Sequence, residues 1–386
     1  MEQKENIVLV QEIMQDFANI TGLEPVSDHP QRYLWTDAFA VCNYIELFRQ
    51  TKDQNYLNLA MRLVNQVHHI LGRHRDDDPR TGWISSLNEE EGESHPTKGG
   101  LRIGKKLNER KLDEPYNEQL EWDQDGQYYH YLTKWMHALH CLSKVTQNSV
   151  YSKWGIELAQ ATHESFVYSP SFDGCKRMYW KMSIDLSYPL VPSMGQHDPL
   201  DGFITYNELI GNVPLKESDL SYEITDMVNI CRSMSWNTDD PLGIGGLLSD
   251  ASRTAQLIVK YERDYLNLLS TILDSALLGV EFFEEGELLN YPADYRLAFR
   301  ELGLSIGLKG VETLLYWIKD NSELFSVDKS LKSRVEVITR YAPLSEIVEH
   351  FWMGSENRKS HTWTDHLEIN MVMFATSLAP NGFLSI

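Results

Sequence analysis

The tripeptide Trp-Thr-Asp occurs twice, as residues 35–37 near the start of the chain and as residues 363–365 near its end. Each copy opens a segment whose apolar residues recur with the spacing of a helix. An aromatic ring and a carboxylate therefore stand at a helix entrance near both ends of the chain. A closed ring of helical hairpins would bring such entrances together around one cleft, so this recurrence strongly constrains the fold.

A helical hairpin is repeated after 95 residues. In the first copy, helices are predicted over about 33–51 and 56–72, with a short turn at 52–54. The residues of the second copy that correspond to Leu47, Thr51, Tyr56 and Ala60 are Leu142, Thr146, Tyr151 and Gly155. Further helices are predicted over 252–282, 293–319, 327–340 and 364–378. Period-2 strand patterns are scarce. Repeated hairpins are typical of a helical toroid or solenoid, so the predicted fold class is all-α, and we favour a closed ring.

Two long segments interrupt the helical pattern. Residues 74–120 are polar and contain several glycines, and residues 168–216 are rich in proline and aromatic residues. We predict a single domain over 1–386 in which both segments are insertions. They are either loops that cover the cleft or surface insertions without a role.

The charge balance restricts the partners of the chain. With 56 acidic and 35 basic residues the formal net charge is −21, which argues against nucleic acid or an anionic membrane as the main partner. No apolar run approaches the roughly 18 residues of a membrane span, and the first residues lack a signal-peptide core, so a cytoplasmic protein is expected. The four cysteines form no CxxC pair. We therefore predict buried thiols, no metal and no cofactor. The oligomeric state stays open.

Three of these features together resemble a known superfamily. Inner helices entered by Trp/Asp segments, hairpin turns of the form Thr-x4-Tyr followed by Ala or Gly, and aromatic-rich loops look like the six-hairpin (α/α)6 barrel superfamily. That superfamily includes several glycoside hydrolase families and sugar epimerases. The resemblance covers most of the chain at the level of architecture, without a complete catalytic signature of one member family. It implies a cleft where the inner helices start, often holding a carbohydrate.

The segment 121–131 concentrates groups that suit sugar chemistry. It holds three carboxylates, His130 and four aromatic rings at a helix entrance. Glycoside cleavage needs one protonated and one ionised carboxyl group, and aromatic faces suit the apolar C–H surfaces of sugar rings. Asp37, Asp125 and Asp365 are the carboxylate candidates from three separate entrances. The alternative role for each of them is capping of a helix N-terminus.

A second polar cluster lies at residues 195–202, in a segment rich in proline and glycine. His197 is a candidate proton shuttle there, because an imidazole titrates near neutral pH. Asp198 and Asp201 stand beside it. Turn formation by the Asp-Pro and Asp-Gly dipeptides is the alternative explanation. His361 and His366 flank the second Trp-Thr-Asp copy, in a spacing that fits no standard zinc pattern.

Three functions remain open from the sequence. The first is a glycoside hydrolase-like enzyme acting on a small-molecule or oligosaccharide substrate, in which Asp37 and Asp125 serve as base and acid in either order. The second is a sugar epimerase or isomerase, or a cyclase or dehydratase, that transfers protons through histidines. The third is a non-catalytic helical binding scaffold. The catalytic candidates are Asp37, Asp125, His130, His197, Asp198 and Asp365. The substrate-binding candidates are Trp35, Arg102, Trp122, Tyr129, Asp201, Trp363 and His366.

Overall fold

Helices dominate the computed structural model, which describes residues 2–170, 175–211, 219–232, 234–328 and 330–386. The chain divides into two compact units. The larger unit contains residues 18–48 and 53–234, and the smaller unit contains residues 1–17, 49–52 and 235–386. The predicted all-α fold class is confirmed by the elements of both units. The single domain and the closed ring remain predictions.

The helices up to residue 231 begin and end as follows: α1 Glu2–Ile20, α2 Leu34–Thr51, α3 Gln54–Leu71, α4 Glu89–Ser94, α5 Glu118–Asp123, α6 Tyr129–Thr146, α7 Ser149–Phe166, α8 Asp198–Ile210 and α9 Ser221–Cys231. Five short strands accompany them: β1 Gln127–Tyr128, β2 Val167–Tyr168, β3 Arg177–Met178, β4 Lys181–Met182 and β5 Pro189–Val191. Strands β1, β4 and β5 form one antiparallel sheet, and β2 pairs with β3.

The 95-residue repeat is visible in the backbone of the two hairpin turns. Lys52 and Gln147 both have positive φ, at 63° and 55°, so the chain leaves the preceding helix in the left-handed region. The next residue caps the following helix in each case. Asp53 accepts from the backbone N–H of Asn55 at 3.0 Å, and Asn148 accepts from that of Val150 at 3.1 Å. The same turn chemistry therefore starts α3 and α7.

Helix α6 is the centre of the larger unit. It packs against α7 and α8, and α8 packs against α9. Every residue of α8 from Asp198 to Ile210 is buried. The first turns of α6 and α8 carry the two polar clusters found in the sequence, so this packing determines how those clusters meet.

The segment 168–216 is not a single loop. It contains β3, β4, β5 and all of α8, while 171–174 and 212–216 lie outside the described residues. The sequence predicted a loop at this position because Asp198-Pro199 is a common turn dipeptide. Here Pro199 occupies the first turn of α8, where a proline needs no hydrogen-bond partner for its nitrogen. Segment 74–120 matches the prediction more closely, with only α4 and the start of α5 inside it.

The remaining helices belong to the smaller unit: α10 Pro241–Tyr261, α11 Leu266–Glu285, α12 Ala298–Asp320, α13 Ser322–Phe325, α14 Leu331–Ile338, α15 Pro343–Met353, α16 His361–Thr364, α17 Leu367–Leu378 and α18 Asn381–Leu384. Short 3-10 helices cover Leu288–Asn290, Ala293–Tyr295, Thr339–Tyr341 and Asn357–Lys359. The predicted helix 252–282 is wrong, because the chain breaks between α10 and α11, where Glu262 has a φ of 52°.

Helix α11 is long and apolar enough to cross a membrane by length and composition alone. The helix packs against α10 and α14. Leu269, Ile272, Leu273 and Ala276 are fully buried on that side. This face of α11 therefore belongs to the core of the smaller unit, although only 44% of the apolar window of the helix is buried.

Helices α10 and α12 cross at very close range through glycines. A Cβ atom on Gly245 would lie 2.0 Å from the carbonyl oxygen of Gly303, and one on Gly307 would lie 2.5 Å from that of Gly245. Glycine costs helix stability, so its presence inside both helices is explained by this approach of the two backbones.

We expect Gly245→Ala to lower the free energy of unfolding by about 1–3 kcal/mol, because the new methyl group overlaps backbone that cannot rotate away. The matched control is Gly246→Ala. Gly246 is exposed and a Cβ there meets nothing within 4 Å, so this change should raise stability by about 0.5–1 kcal/mol through helix propensity. Urea unfolding of both variants checks the difference, and equal effects would contradict the close crossing.

Candidate functional site

The two polar clusters predicted from the sequence meet between α6 and α8. His130 is the second residue of α6, and Asp198 is the first residue of α8. His130 Nδ1 lies 3.9 Å from Asp198 Oδ1. These two residues are 68 positions apart in the chain, and the packing of α6 on α8 makes them neighbours.

Polar atoms of both side chains are buried without a hydrogen bond. Within the described part of the chain, His130 Nδ1 and Asp198 Oδ2 have no partner. A separation of 3.9 Å is too long for the two groups to satisfy each other. Buried polar atoms are nearly always hydrogen-bonded in native proteins, so an unsatisfied pair of this kind indicates a place for a ligand group. The remainder of the imidazole is partly exposed, since 26% of the His130 side chain is accessible while Nδ1 itself is buried.

The pKa values of the pair are displaced in opposite directions from those in water. Burial lowers the pKa of His130 to about 4, and Lys134 lowers it further while Asp201 opposes this. Burial raises the pKa of Asp198 to about 7, Asp201 adds to the rise and Lys134 opposes it. Near neutral pH the imidazole is therefore an uncharged base, and a large fraction of the neighbouring carboxyl group is a protonated acid.

Asp201 and Lys134 form a charged pair one turn further into the two helices. Lys134 Nζ lies 2.8 Å from Asp201 Oδ1, and the Thr133 hydroxyl donates to Asp201 Oδ2. Both Asp201 and Lys134 are largely buried. The ammonium group of Lys134 therefore pairs directly with Asp201, and it also opposes the rise in the pKa of Asp198.

Four aromatic rings surround the imidazole of His130. The ring centroids lie at 4.8 Å for Tyr131, 5.4 Å for Tyr128, 6.1 Å for Trp35 and 6.3 Å for Trp180. The Trp180 ring is nearly parallel to the imidazole, at 13°. Trp35 was a candidate from the sequence, whereas Trp180 was missed because it stands in the turn between β3 and β4, with no helical pattern around it.

Trp122 extends the aromatic surface. It packs edge-on against Trp180 with centroids 5.2 Å apart, and about half of it (49%) is exposed to solvent. Tyr129 faces the other way. Its ring is completely buried, and its hydroxyl donates to that of Tyr206 at 2.8 Å, so it is part of the protein core. Of these two predicted stacking residues, only Trp122 is placed to meet a substrate.

Asp37 is held by the loop that precedes α2. Its Oδ1 accepts from Arg32 at 3.2 Å, and its Oδ2 accepts from the backbone N–H of Tyr33 at 3.0 Å. Burial raises the pKa of Asp37 to about 6, against the effect of Arg32 and of the bond from Tyr33. The arrangement is that of a buried carboxylate that organises a helix start.

Asp125 accepts hydrogen bonds from several residues of the loops between residues 73 and 126. Its Oδ2 accepts from Arg102 at 2.6 Å and from Arg75 at 3.2 Å. Its Oδ1 accepts from the backbone N–H groups of Gly104 and Gly126 at 3.0 and 3.1 Å. Arg102 also donates to two backbone carbonyl groups. Both predicted site residues are thus occupied by structural contacts.

His197 precedes the first turn of α8, and its carbonyl oxygen accepts from the backbone N–H of Asp201 at 3.0 Å. The remaining candidates belong to the smaller unit. Trp363 is buried and stacks on Trp352, with centroids 5.5 Å apart. Asp365 is exposed at the end of α16, and His366 lies edge-on to Phe299 at 5.5 Å.

No family model matches the sequence, and no curated protein sequence matches it. The chain is similar to solved structures at low identity. A cellobiose 2-epimerase from Spirochaeta thermophila DSM 6192 is 11% identical with a TM-score of 0.47, covering 95% of this chain and 97% of that one. A sugar epimerase from a ruminal bacterium is 7% identical with a TM-score of 0.43, covering 81% and 75%. A polysaccharide lyase is 10% identical with a TM-score of 0.40, covering 100% and 99%.

Proposed function

We propose that the larger unit is an enzyme that moves a proton on a reducing sugar, as a sugar epimerase or isomerase does. The observation that carries this proposal is the His130–Asp198 pair, with a neutral buried base 3.9 Å from a carboxyl group whose pKa is raised to about 7. A base and an acid with such displaced pKa values suit proton abstraction next to a carbonyl group.

The proposed reaction uses the two unsatisfied atoms directly. His130 Nδ1 takes the proton from the carbon next to the carbonyl group of the open-chain sugar, and the bonding electrons move to the carbonyl oxygen. Asp198 donates its proton to that oxygen, which gives a neutral enediol. A water molecule then gives a proton to the first carbon from the opposite face, Asp198 takes back the proton of the enediol oxygen, and His130 gives its proton to the hydroxide, which forms the epimer. For the isomer, His130 returns its proton to the former carbonyl carbon, and the hydroxyl group of the first carbon gives its proton to the Asp198 carboxylate.

The aromatic surroundings support a sugar as substrate. Trp180 and Trp122 offer ring faces and edges of the kind on which the C–H surfaces of a sugar pack, whereas Trp35 is only 9% exposed and packs behind His130. The low-dielectric surroundings also strengthen the effect of Asp198 on a charge that develops on the substrate oxygen.

A glycoside hydrolase remains the second candidate because Asp198 and Asp201 lie one turn apart. Asp198 would be the protonated acid, and Asp201, compensated by Lys134, the ionised carboxylate. Asp198 replaces Asp37 and Asp125 as the candidate acid, because the oxygens of those two residues are engaged by arginine and backbone donors.

The test is hydrogen exchange on the sugar. The protein is incubated in D2O with a panel of reducing mono- and disaccharides, and proton NMR follows the signal of the hydrogen next to the anomeric carbon. We expect deuterium to replace that hydrogen in at least one sugar, together with a new epimer or ketose. Methyl glycosides, which cannot open to a carbonyl form, should show no exchange.

The His130→Gln variant serves as the internal check, because glutamine has no basic ring nitrogen. It should lose exchange, while His361→Gln, at an exposed histidine of the smaller unit, should keep it. Absence of exchange across the panel would contradict the proposal. If oligosaccharides were cleaved without exchange, the hydrolase would replace it.

A further inference from the structure

A cluster of thiol and imidazole groups lies deep in the larger unit. Cys42 on α2, and His137 and Cys141 on α6, bring three ligand atoms within 4.8 Å of one another. All three residues are almost completely buried, each at 1% exposure. We propose that these side chains bind a transition-metal ion of the zinc type. This proposal does not depend on the proposed enzymatic function.

The distance between the two ligand atoms on α6 fits a tetrahedral ion. His137 Nε2 lies 3.5 Å from Cys141 Sγ. Two ligands at zinc–sulfur and zinc–nitrogen bond lengths of about 2.3 and 2.05 Å would be about 3.6 Å apart at the tetrahedral angle. His137 and Cys141 are separated by four residues on one helix, which places both side chains on the same face. Cys42 approaches from α2, and its thiol hydrogen-bonds Cys141.

Glu208 on α8 orients the imidazole. His137 Nδ1 lies 2.9 Å from Glu208 Oε2, and Glu208 is fully buried. Since a carboxylate only accepts, Nδ1 donates to Glu208, and Nε2 lies on the side of the thiols, 3.5 Å from Cys141 Sγ. A histidine that donates one ring N–H to a carboxylate while the other nitrogen binds metal is a recurring arrangement in zinc proteins.

A second histidine next to the cluster is the independent indication of a ligand. Within the described residues, both ring nitrogens of His140 are buried and have no hydrogen-bond partner. His140 is 6% exposed, and the charges of Glu208, Cys141 and His137 act on it. An uncompensated buried imidazole is costly, and a metal ion would offer it a bond. Its nitrogens are not among the ligand atoms that lie within 4.8 Å of one another, so His140 could reach the ion only after its ring moved toward the other three side chains.

The donor set selects the class of metal. Two thiolates with one or two imidazoles favour Zn²⁺ over Mg²⁺ or Ca²⁺, which prefer oxygen. Burial of the donors suits a structural ion that is bound during folding and holds α2, α6 and α8 together. The sequence predicts no metal because the three ligands share no local motif. They are 95 and then four residues apart, and only the packing of the helices brings them together.

The first measurement is the metal content of the intact protein after expression in zinc-supplemented medium and gel filtration. We expect one equivalent of zinc per chain. Replacement of zinc by Co²⁺ should give the visible d–d bands of a tetrahedral ion and a thiolate charge-transfer band. Cys175→Ser, at the exposed cysteine, is the matched control and should retain the ion and both spectra.

Two variants separate ligation from folding. Cys42→Ser should lose the zinc equivalent and weaken the charge-transfer band. Glu208→Gln keeps all ligands and should lower zinc affinity by roughly 10–100-fold, as loss of an outer-sphere carboxylate does. Circular dichroism confirms that each variant is folded. The proposal is overturned if the folded protein retains no zinc, if Cys42→Ser retains as much as Cys175→Ser, or if mass spectrometry finds Cys42 and Cys141 joined as a disulfide.

Discussion

Replacement of Asp198 with Asn is expected to lower turnover of the sugar substrate by about 10²–10⁴-fold, the usual contribution of a positioned general acid. Asparagine keeps the size of the side chain but has no acidic proton to give to the carbonyl oxygen. Asp365→Asn is the matched control, because Asp365 is exposed at the end of α16, and its turnover should not change. The measurement is the initial rate of exchange or epimer formation with the sugar found by NMR.

The same variant should change the pH profile. The proposed reaction needs a neutral His130, which requires a pH above about 4, and a protonated Asp198, which requires a pH below about 7. A bell-shaped dependence of kcat/KM between these values is therefore expected. The asparagine side chain cannot ionise, so the residual activity of Asp198→Asn should lose the alkaline limb. An alkaline limb that persists in this variant would assign that limb to another group.

Stability supplies a test of the raised pKa without substrate. The folded-state pKa of Asp198 is about 7, above its ordinary value of 3.8. Between these values the folded state holds a proton that the unfolded state has released. The contribution of Asp198 to stability is therefore fully present below about pH 3.8 and is lost as the pH rises through 7. Urea unfolding of Asp198→Asn should be less dependent on pH over this interval than that of the native protein.

Replacement of Asp125 with Ala is expected to lower the free energy of unfolding by about 3–5 kcal/mol. The carboxylate is completely buried and accepts from Arg102, Arg75 and two backbone N–H groups. Its removal leaves a buried guanidinium group without its counter-charge. Urea unfolding measures the loss, and Asp123→Ala, at an exposed carboxylate two residues away, should change stability by only about 0.5 kcal/mol.

The stability and the activity of Asp125→Ala must be measured together, because the sequence suggested Asp125 as an acid or base. If Asp125 is structural, the folded fraction of the variant should keep most of its turnover. If Asp125 is catalytic, the variant should have a nearly normal unfolding curve and little turnover. The second result would contradict the role that the arginine contacts indicate.

The sequence indicated the polar segments of the candidate site but not the contacts between them. Residues 121–131 and 195–202 were recognised as polar clusters at separate places, and the structure adds the contact between them. The choice of Asp37 and Asp125 as catalytic candidates treated every carboxylate at a helix start alike. Only the structure shows that arginine side chains engage these two carboxylates and leave Asp198 Oδ2 without a donor in the described part of the chain.

By itself the sequence determined the local elements of this protein. Helices α2, α3, α6 and α7 follow from apolar spacing, and the turns at Lys52 and Gln147 follow from the residues that cap the next helix, because these preferences act over only three or four residues. The tertiary structure alone decided the rest. The acid–base pair, the position of Trp180 and the cluster of Cys42, His137 and Cys141 join residues far apart in the chain. Such contacts depend on which helix faces pack together, which no local pattern specifies.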